Sequence, residues 1–114
     1  MKLGPFNFVM GGQKRVTVVG AGTTSVNGTM TYGGDYNSKP AFFNNSAGVI
    51  SGVLSGTGIA VYWDTFFASW SIAIVTNGTV QVQYSSNSAV ASPDLATGWI
   101  TASGSNPVPT VISG

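Results

Sequence analysis

Ile59–Tyr84, IAVYWDTFFASWSIAIVTNGTVQVQY, reads as three consecutive strands. Ile59, Val61 and Trp63 alternate with Ala60, Tyr62 and Asp64, and Trp70, Ile72 and Ile74 alternate with Ser71, Ala73 and Val75. After Thr76-Asn77-Gly78, Val80, Val82 and Tyr84 alternate with Gln81 and Gln83. A period of two among aromatic and β-branched residues marks half-buried antiparallel strands, because successive side chains leave the pleat on opposite faces. Asn77-Gly78 supplies the positive φ angles of a tight hairpin. The inward sets should form one apolar face, with Trp63, Trp70, Ile72, Ile74, Val82 and Tyr84 in the core and Trp99 joining from a later strand.

Working outward, Arg15–Val19 is a short strand closed by Gly20-Ala21-Gly22. Thr24–Tyr32 alternates around a second Asn-Gly, and Gly33-Gly34-Asp35 reads as a turn. Lys39-Pro40 leads into Ala41-Phe42-Phe43, a place where proline suits the start or edge of a strand. Residues 44–58, NNSAGVISGVLSGTG, carry four glycines that oppose a helix, so a long loop packed on the body is expected. Ser85–Ser92 reads as a polar loop and Trp99–Ala102 as the final strand. Pro107 and Pro109 make the tail extended and a poor central strand. Residues 1–14 form an arm or edge strand, set off by Gly11-Gly12, and residues 15–114 form the β domain. The fold expected is a single all-β domain, an antiparallel meander closing into a small β-sandwich or partly open barrel.

Composition narrows the function. There are four basic and three acidic residues in 114, with no cysteine and no histidine. Nucleic-acid binding by counterion release needs clustered cations, and Lys14-Arg15 is the one basic pair, so no nucleic-acid partner is expected. No apolar run reaches the roughly 20 residues of a membrane-spanning helix, and the start makes a poor signal peptide. A surface this poor in charge fits a protein covered by neighbours, which does not rely on charge repulsion to stay dispersed.

Catalysis finds few parts. The absence of histidine, cysteine and glutamate removes the usual general acid–base groups, thiol nucleophiles and transition-metal ligands. Asp35, Asp64 and Asp94 each read as turn residues that bond the local backbone. No catalytic residue, metal site or cofactor is expected. The aromatics divide instead: the tryptophans suit the core, while Tyr62 and the turn pair Phe66-Phe67 fit it less easily. An exposed aromatic pair either anchors a protein interface or stacks on a sugar, and interface is favoured where few polar groups stand nearby. Phe6 and Phe8 in the arm belong either to a terminus folded back on the core or to an arm donated to a neighbour.

Asn27-Gly28-Thr29, Lys39-Pro40, Val61-Tyr62-Trp63, Trp70-Ser71-Ile72, Tyr84-Ser85-Ser86, Pro93-Asp94-Leu95, Trp99 and Pro107-Val108-Pro109-Thr110 share an order that resembles a small β domain of tailed-bacteriophage virion structural proteins. The resemblance spans about residues 16–112, with Met30 and Phe42 standing where tyrosine is usual. It implies a non-enzymatic virion protein on the capsid surface, most simply a capsid decoration or cement protein. Such a protein would bind the major capsid protein or another virion protein through apolar contacts, as a homo-oligomer that is trimeric by analogy. The alternative it implies is a receptor-binding head- or tail-fibre module recognising host glycan, with tyrosine or tryptophan exposed beside Asn, Gln and Asp. The expected partner interface comprises Phe6, Phe8, Ile50, Val53, Leu54, Phe66 and Phe67.

Overall fold

The computed structural model describes residues 15–114. Its strands are β1 (Arg15–Val19), β2 (Gly28–Tyr36), β3 (Lys39–Phe43), β4 (Gly48–Ile50), β5 (Val53–Ser55), β6 (Gly58–Asp64), β7 (Ser69–Thr76), β8 (Thr79–Ser86), β9 (Ile100–Thr101) and β10 (Thr110–Ser113). Eight of them form one antiparallel sheet in the order β10-β1-β2-β3-β6-β7-β8-β9, curled into a half-barrel. β4 and β5 pair only with each other. The chain is thus an all-β meander whose last strand returns to the first.

Turn chemistry sets the register. Asn77 and Gly78, at φ 47° and 80°, join Thr76 to its partner Thr79 as the Asn-Gly signal predicts. The β2–β3 turn falls at Asn37-Ser38, both at positive φ, and not at Gly33-Gly34-Asp35. That segment instead lies within β2 at an irregularity between Tyr32 and Asp35. Asn27-Gly28 makes no hairpin either. The Asn27 side chain accepts from Ala21 N–H at 2.9 Å and donates to Ala21 C=O at 3.1 Å, closing a longer connection.

The concave face holds the larger core: Val16, Met30, Phe42, Ile59, Val61, Trp63, Trp70, Ile72, Tyr84 and Trp99 are all buried there, with Ile74 packed half-buried against them. Trp63 and Trp70 face each other across β6–β7 in an edge-to-face pair at 5.6 Å. The convex face is buried too. Residues 44–58 are not a loop; they carry the β4–β5 hairpin, turned at Ser51-Gly52 (φ 53° and 76°), which packs Leu54 onto Phe43, Tyr62 and Val75. Ala41, Ala60 and Ala73 lie fully buried in this second cluster. Side chains of that size let a hairpin approach a sheet closely. β6 is consequently covered on both faces, so Tyr62, expected to fit the core less easily, is buried.

One irregularity redirects β8. Ile72 pairs with Tyr84 but Ala73 pairs with Val82, leaving Gln83 as an extra residue. A bulge of this kind shifts the alternation by one position. Tyr84 therefore joins the concave core while Val82 packs half-buried on the convex cluster and Val80 is exposed. Val82 does not share a face with Tyr84, contrary to the simple alternation.

Tyr84 then closes the curl. Its hydroxyl accepts from Thr23 N–H at 2.9 Å and donates to Ser105 C=O at 2.6 Å. Ser105 N–H donates to Thr23 Oγ1 at 2.9 Å and Gly22 N–H to Pro107 C=O at 2.8 Å, so the tail is stitched to the β1–β2 connection. Gly104 is required here: a methyl on it would lie 2.6 Å from Tyr84 Cζ. Trp99 precedes the two-residue β9, and the tail's Thr110–Ser113 forms β10 at the sheet edge, after both prolines. The expected final strand is thus only the penultimate one.

Replacing Tyr84 by Phe keeps the ring and removes both hydroxyl bonds, leaving Thr23 N–H and Ser105 C=O unpartnered. Loss of about 2 kcal/mol is expected, read as a lower urea midpoint at unchanged m-value. A midpoint equal to the parent's would show that the stitch contributes nothing.

Candidate functional site: an apolar loop tip and the groove beside it

The β6–β7 connection, residues 65–68, is built to hold two rings in solvent. Asp64, the last residue of β6, accepts at Oδ1 from the backbone N–H groups of Phe66 (2.8 Å) and Phe67 (3.2 Å). This is the local bonding expected of a turn aspartate. Ala68 follows at φ 50°, a left-handed conformation costing an L-residue about 1 kcal/mol. Phe66 and Phe67 are 86% and 69% exposed and stand edge to face at 4.8 Å. Covering an aromatic side chain contributes about 2 kcal/mol, so the exposed pair is a reservoir of binding energy.

The other interface candidates separate. Ile50 and Val53 are direct cross-strand partners beside the Ser51-Gly52 turn, 69% and 63% exposed. Leu54, expected with them, is buried in the convex cluster, because successive strand residues point to opposite faces and Leu54 faces the sheet. Phe6 and Phe8 lie outside the described residues.

Beside Phe67 the convex face opens into a groove of about 320 Å³. Ser69, Ser71, Val82 and Ser85 line it from β7 and β8; Asp64, Asn87 and Ala102 complete it. Ser71 pairs with both Tyr62 and Ser85 in the sheet, so the lining continues the face opposite Trp70 and Ile72. These residues were missed in the sequence, although Ser69 and Ser71 show as the polar parity of an otherwise apolar strand. What sets Ser85 opposite Ser71 is the register shift of β8 at Gln83, which no local pattern announces.

Lys39, Asp35 and Asp94 are engaged elsewhere. Lys39 Nζ donates to Val90 C=O at 3.0 Å and sits 4.8 Å from the Trp63 ring centre, turned into the concave core. Trp70 Nε1 donates to the same carbonyl at 3.2 Å. Asp35 lies within β2, not in a turn, and accepts from Tyr32 Oη at 2.7 Å. Asp94 accepts from the Ser92 hydroxyl. Among the described residues no three potential metal-ligating side chains gather. Burial, then the nearby Asp64 charge, raises Tyr62 from 10.0 to about 12.

Two outcomes follow. The Tyr62 phenol is kept neutral by the fold above the pH at which the unfolded chain loses its proton. It therefore contributes stability that is complete below pH 10 and lost as pH rises to about 12. Denaturant titrations should show that fall to be shallower in Tyr62→Phe. Asp64→Ala should speed amide exchange at Phe66 and Phe67 while leaving the β7 amides protected, at a cost of about 1 kcal/mol. Equal protection at the tip in both proteins would mean that Asp64 does not hold it. Comparison of this chain with protein-family models, with curated proteins and with solved structures finds no match.

Proposed function

We propose that this chain is a non-enzymatic structural protein of a tailed-phage virion, a decoration or cement protein seated on the capsid shell by apolar contacts. The observation that carries the reading is the Phe66–Phe67 pair, held out by Asp64 with both rings exposed. A chain with four basic and three acidic residues has little charge repulsion to keep such a surface dispersed, and burial against a large partner removes the liability. Ile50 and Val53 supply a second small apolar patch. Each patch is far smaller than the roughly 800 Å² per partner of a stable interface. Seating by several identical copies at once, a homo-oligomer that is trimeric by analogy, makes up the difference by raising effective concentration.

For the receptor-binding reading of the same resemblance, all three tryptophans are buried, while Tyr32 is 46% exposed and bonds Asp35, so an aromatic contact with a glycan would come from tyrosine.

Light scattering of the purified protein, followed by co-sedimentation with capsids lacking it, tests the proposal. A discrete oligomer that sediments with capsids is expected, with binding weakened at least about tenfold in Phe66→Ser/Phe67→Ser. Both residues are exposed, so the variant should fold. A monodisperse protein that ignores capsids overturns the reading.

A further inference from the structure

We propose that the uncovered edge of β2 at Tyr32–Tyr36 is the docking site of this chain's own residues 10–14. The docked segment delivers Phe6 and Phe8 to the end of the sheet that carries Phe66 and Phe67. The docking does not rest on the shell-binding reading; only a role for Phe6 and Phe8 as further shell contacts does. β2 is nine residues long, but β1 pairs with it only from Gly28 to Thr31. Along Tyr32–Tyr36 the same edge has no strand beside it among the described residues. Tyr32, Gly33 and Asp35 are exposed there, and Gly34 and Tyr36 are half-buried. An uncovered edge is a row of backbone donors and acceptors shaped to take one more strand.

The β1 register selects the occupant. Arg15 lies opposite Thr31, so the chain upstream of it continues along the uncovered edge with no linker. In that register Lys14 falls opposite Tyr32 and Met10 opposite Tyr36. Tyr32 Oη donates to Asp35 at 2.7 Å, so the Lys14 ammonium meets a carboxylate beside its cross-strand partner. β2 is irregular between Tyr32 and Asp35. Gly11-Gly12 comes opposite Gly34 and Asp35, where a neighbouring strand must follow that bend. A second copy cannot supply this strand, because its residues 10–14 adjoin its own Arg15, whose strand is held between β10 and β2 of its own sheet. Direction then fixes where the arm emerges. Asn37 Nδ2 donates to Trp63 C=O at 2.8 Å, so the β2–β3 turn stands beside the end of β6, next to Asp64. Phe8 and Phe6 lie two and four residues upstream of Met10, about 7 and about 14 Å past Tyr36 at the rise of a strand.

NMR on the full chain without capsids tests this. Cross-strand proton contacts between residues 10–14 and 32–36 are expected, with slow amide exchange along Tyr32–Tyr36 that does not change on dilution. Gly12→Pro/Gln13→Pro removes two consecutive N–H groups, one of which must face β2 in a strand. It should speed exchange along Tyr32–Tyr36 at least about tenfold while the β6 and β7 amides stay protected, which shows the variant folded. The chain has no cysteine, so Phe8→Cys takes a single spin label. That label should broaden the amides of Asn37 and of residues 64–68 and spare Asn77 and Gly78 at the other end of β7. Absent cross-strand contacts, exchange equal to the parent's in the proline variant, or broadening at Asn77-Gly78 in place of the tip overturns the proposal. Protection that disappears on dilution assigns the edge to a strand from another molecule and overturns it too. Capsid co-sedimentation enters none of these readouts, so failure of the docking and failure of the shell-binding reading are seen separately.

Discussion

The extra residue at Gln83 is the constraint from which the closed shape of this molecule follows. With strict alternation along β8, Val80, Val82 and Tyr84 would all face the concave core. Because Ile72 pairs with Tyr84 while Ala73 pairs with Val82, the two halves of β8 face opposite ways. Only then can the Tyr84 ring enter the concave core and its hydroxyl meet Thr23 and Ser105 together. Those bonds join the far end of the chain to the connection between its first strands. β10 can then pair with β1, and the meander becomes a half-barrel and not an open ribbon.

Burial on both faces is the second consequence of how the sheet is used. The concave side is filled by bulky residues, and the convex side by three alanines with Phe43, Tyr62 and Val75 under a short hairpin. The hairpin turn at Ser51-Gly52 places Leu54 inward and leaves Ile50 and Val53 in solvent, as the pleat requires of neighbouring residues. Central strands covered in this way are rigid supports for the loops at their ends. The Phe66–Phe67 tip rises from the two most enclosed strands of the sheet, β6 and β7.

A loop that sets two phenylalanines in water, with a left-handed alanine and a dedicated carboxylate, runs against the stability of the isolated chain. Such an arrangement is intelligible when the rings have a partner. The groove next to the tip is mostly apolar as well, with Ser69 and Ser71 almost wholly buried at its floor and no cation among its described lining residues. Lys39 adds nothing to either, because its ammonium group is spent on a carbonyl and two indole faces inside the core.

Much of the fold was legible in the residues themselves. Alternation in Ile59–Trp63 and Trp70–Ile74 and the Asn77-Gly78 turn are local signals, and local sterics and solvation are enough to place those strands and their hairpin. The exposure of Phe66 and Phe67 was legible for the same reason, as aromatics inside a turn. The face of Val82, the burial of Tyr62 and Leu54, and the role of the tail depended on contacts between residues far apart in the chain. A bulge is invisible to a pattern of period two, and a hairpin of small residues resembles a loop until a sheet lies beneath it. Sequence alone determined an all-β meander with a tryptophan core and an aromatic loop tip, because those follow from each residue and its near neighbours. Tertiary structure alone decided how the sheet closes and which side chains meet in the groove, because pairing between distant strands chooses which faces are buried together.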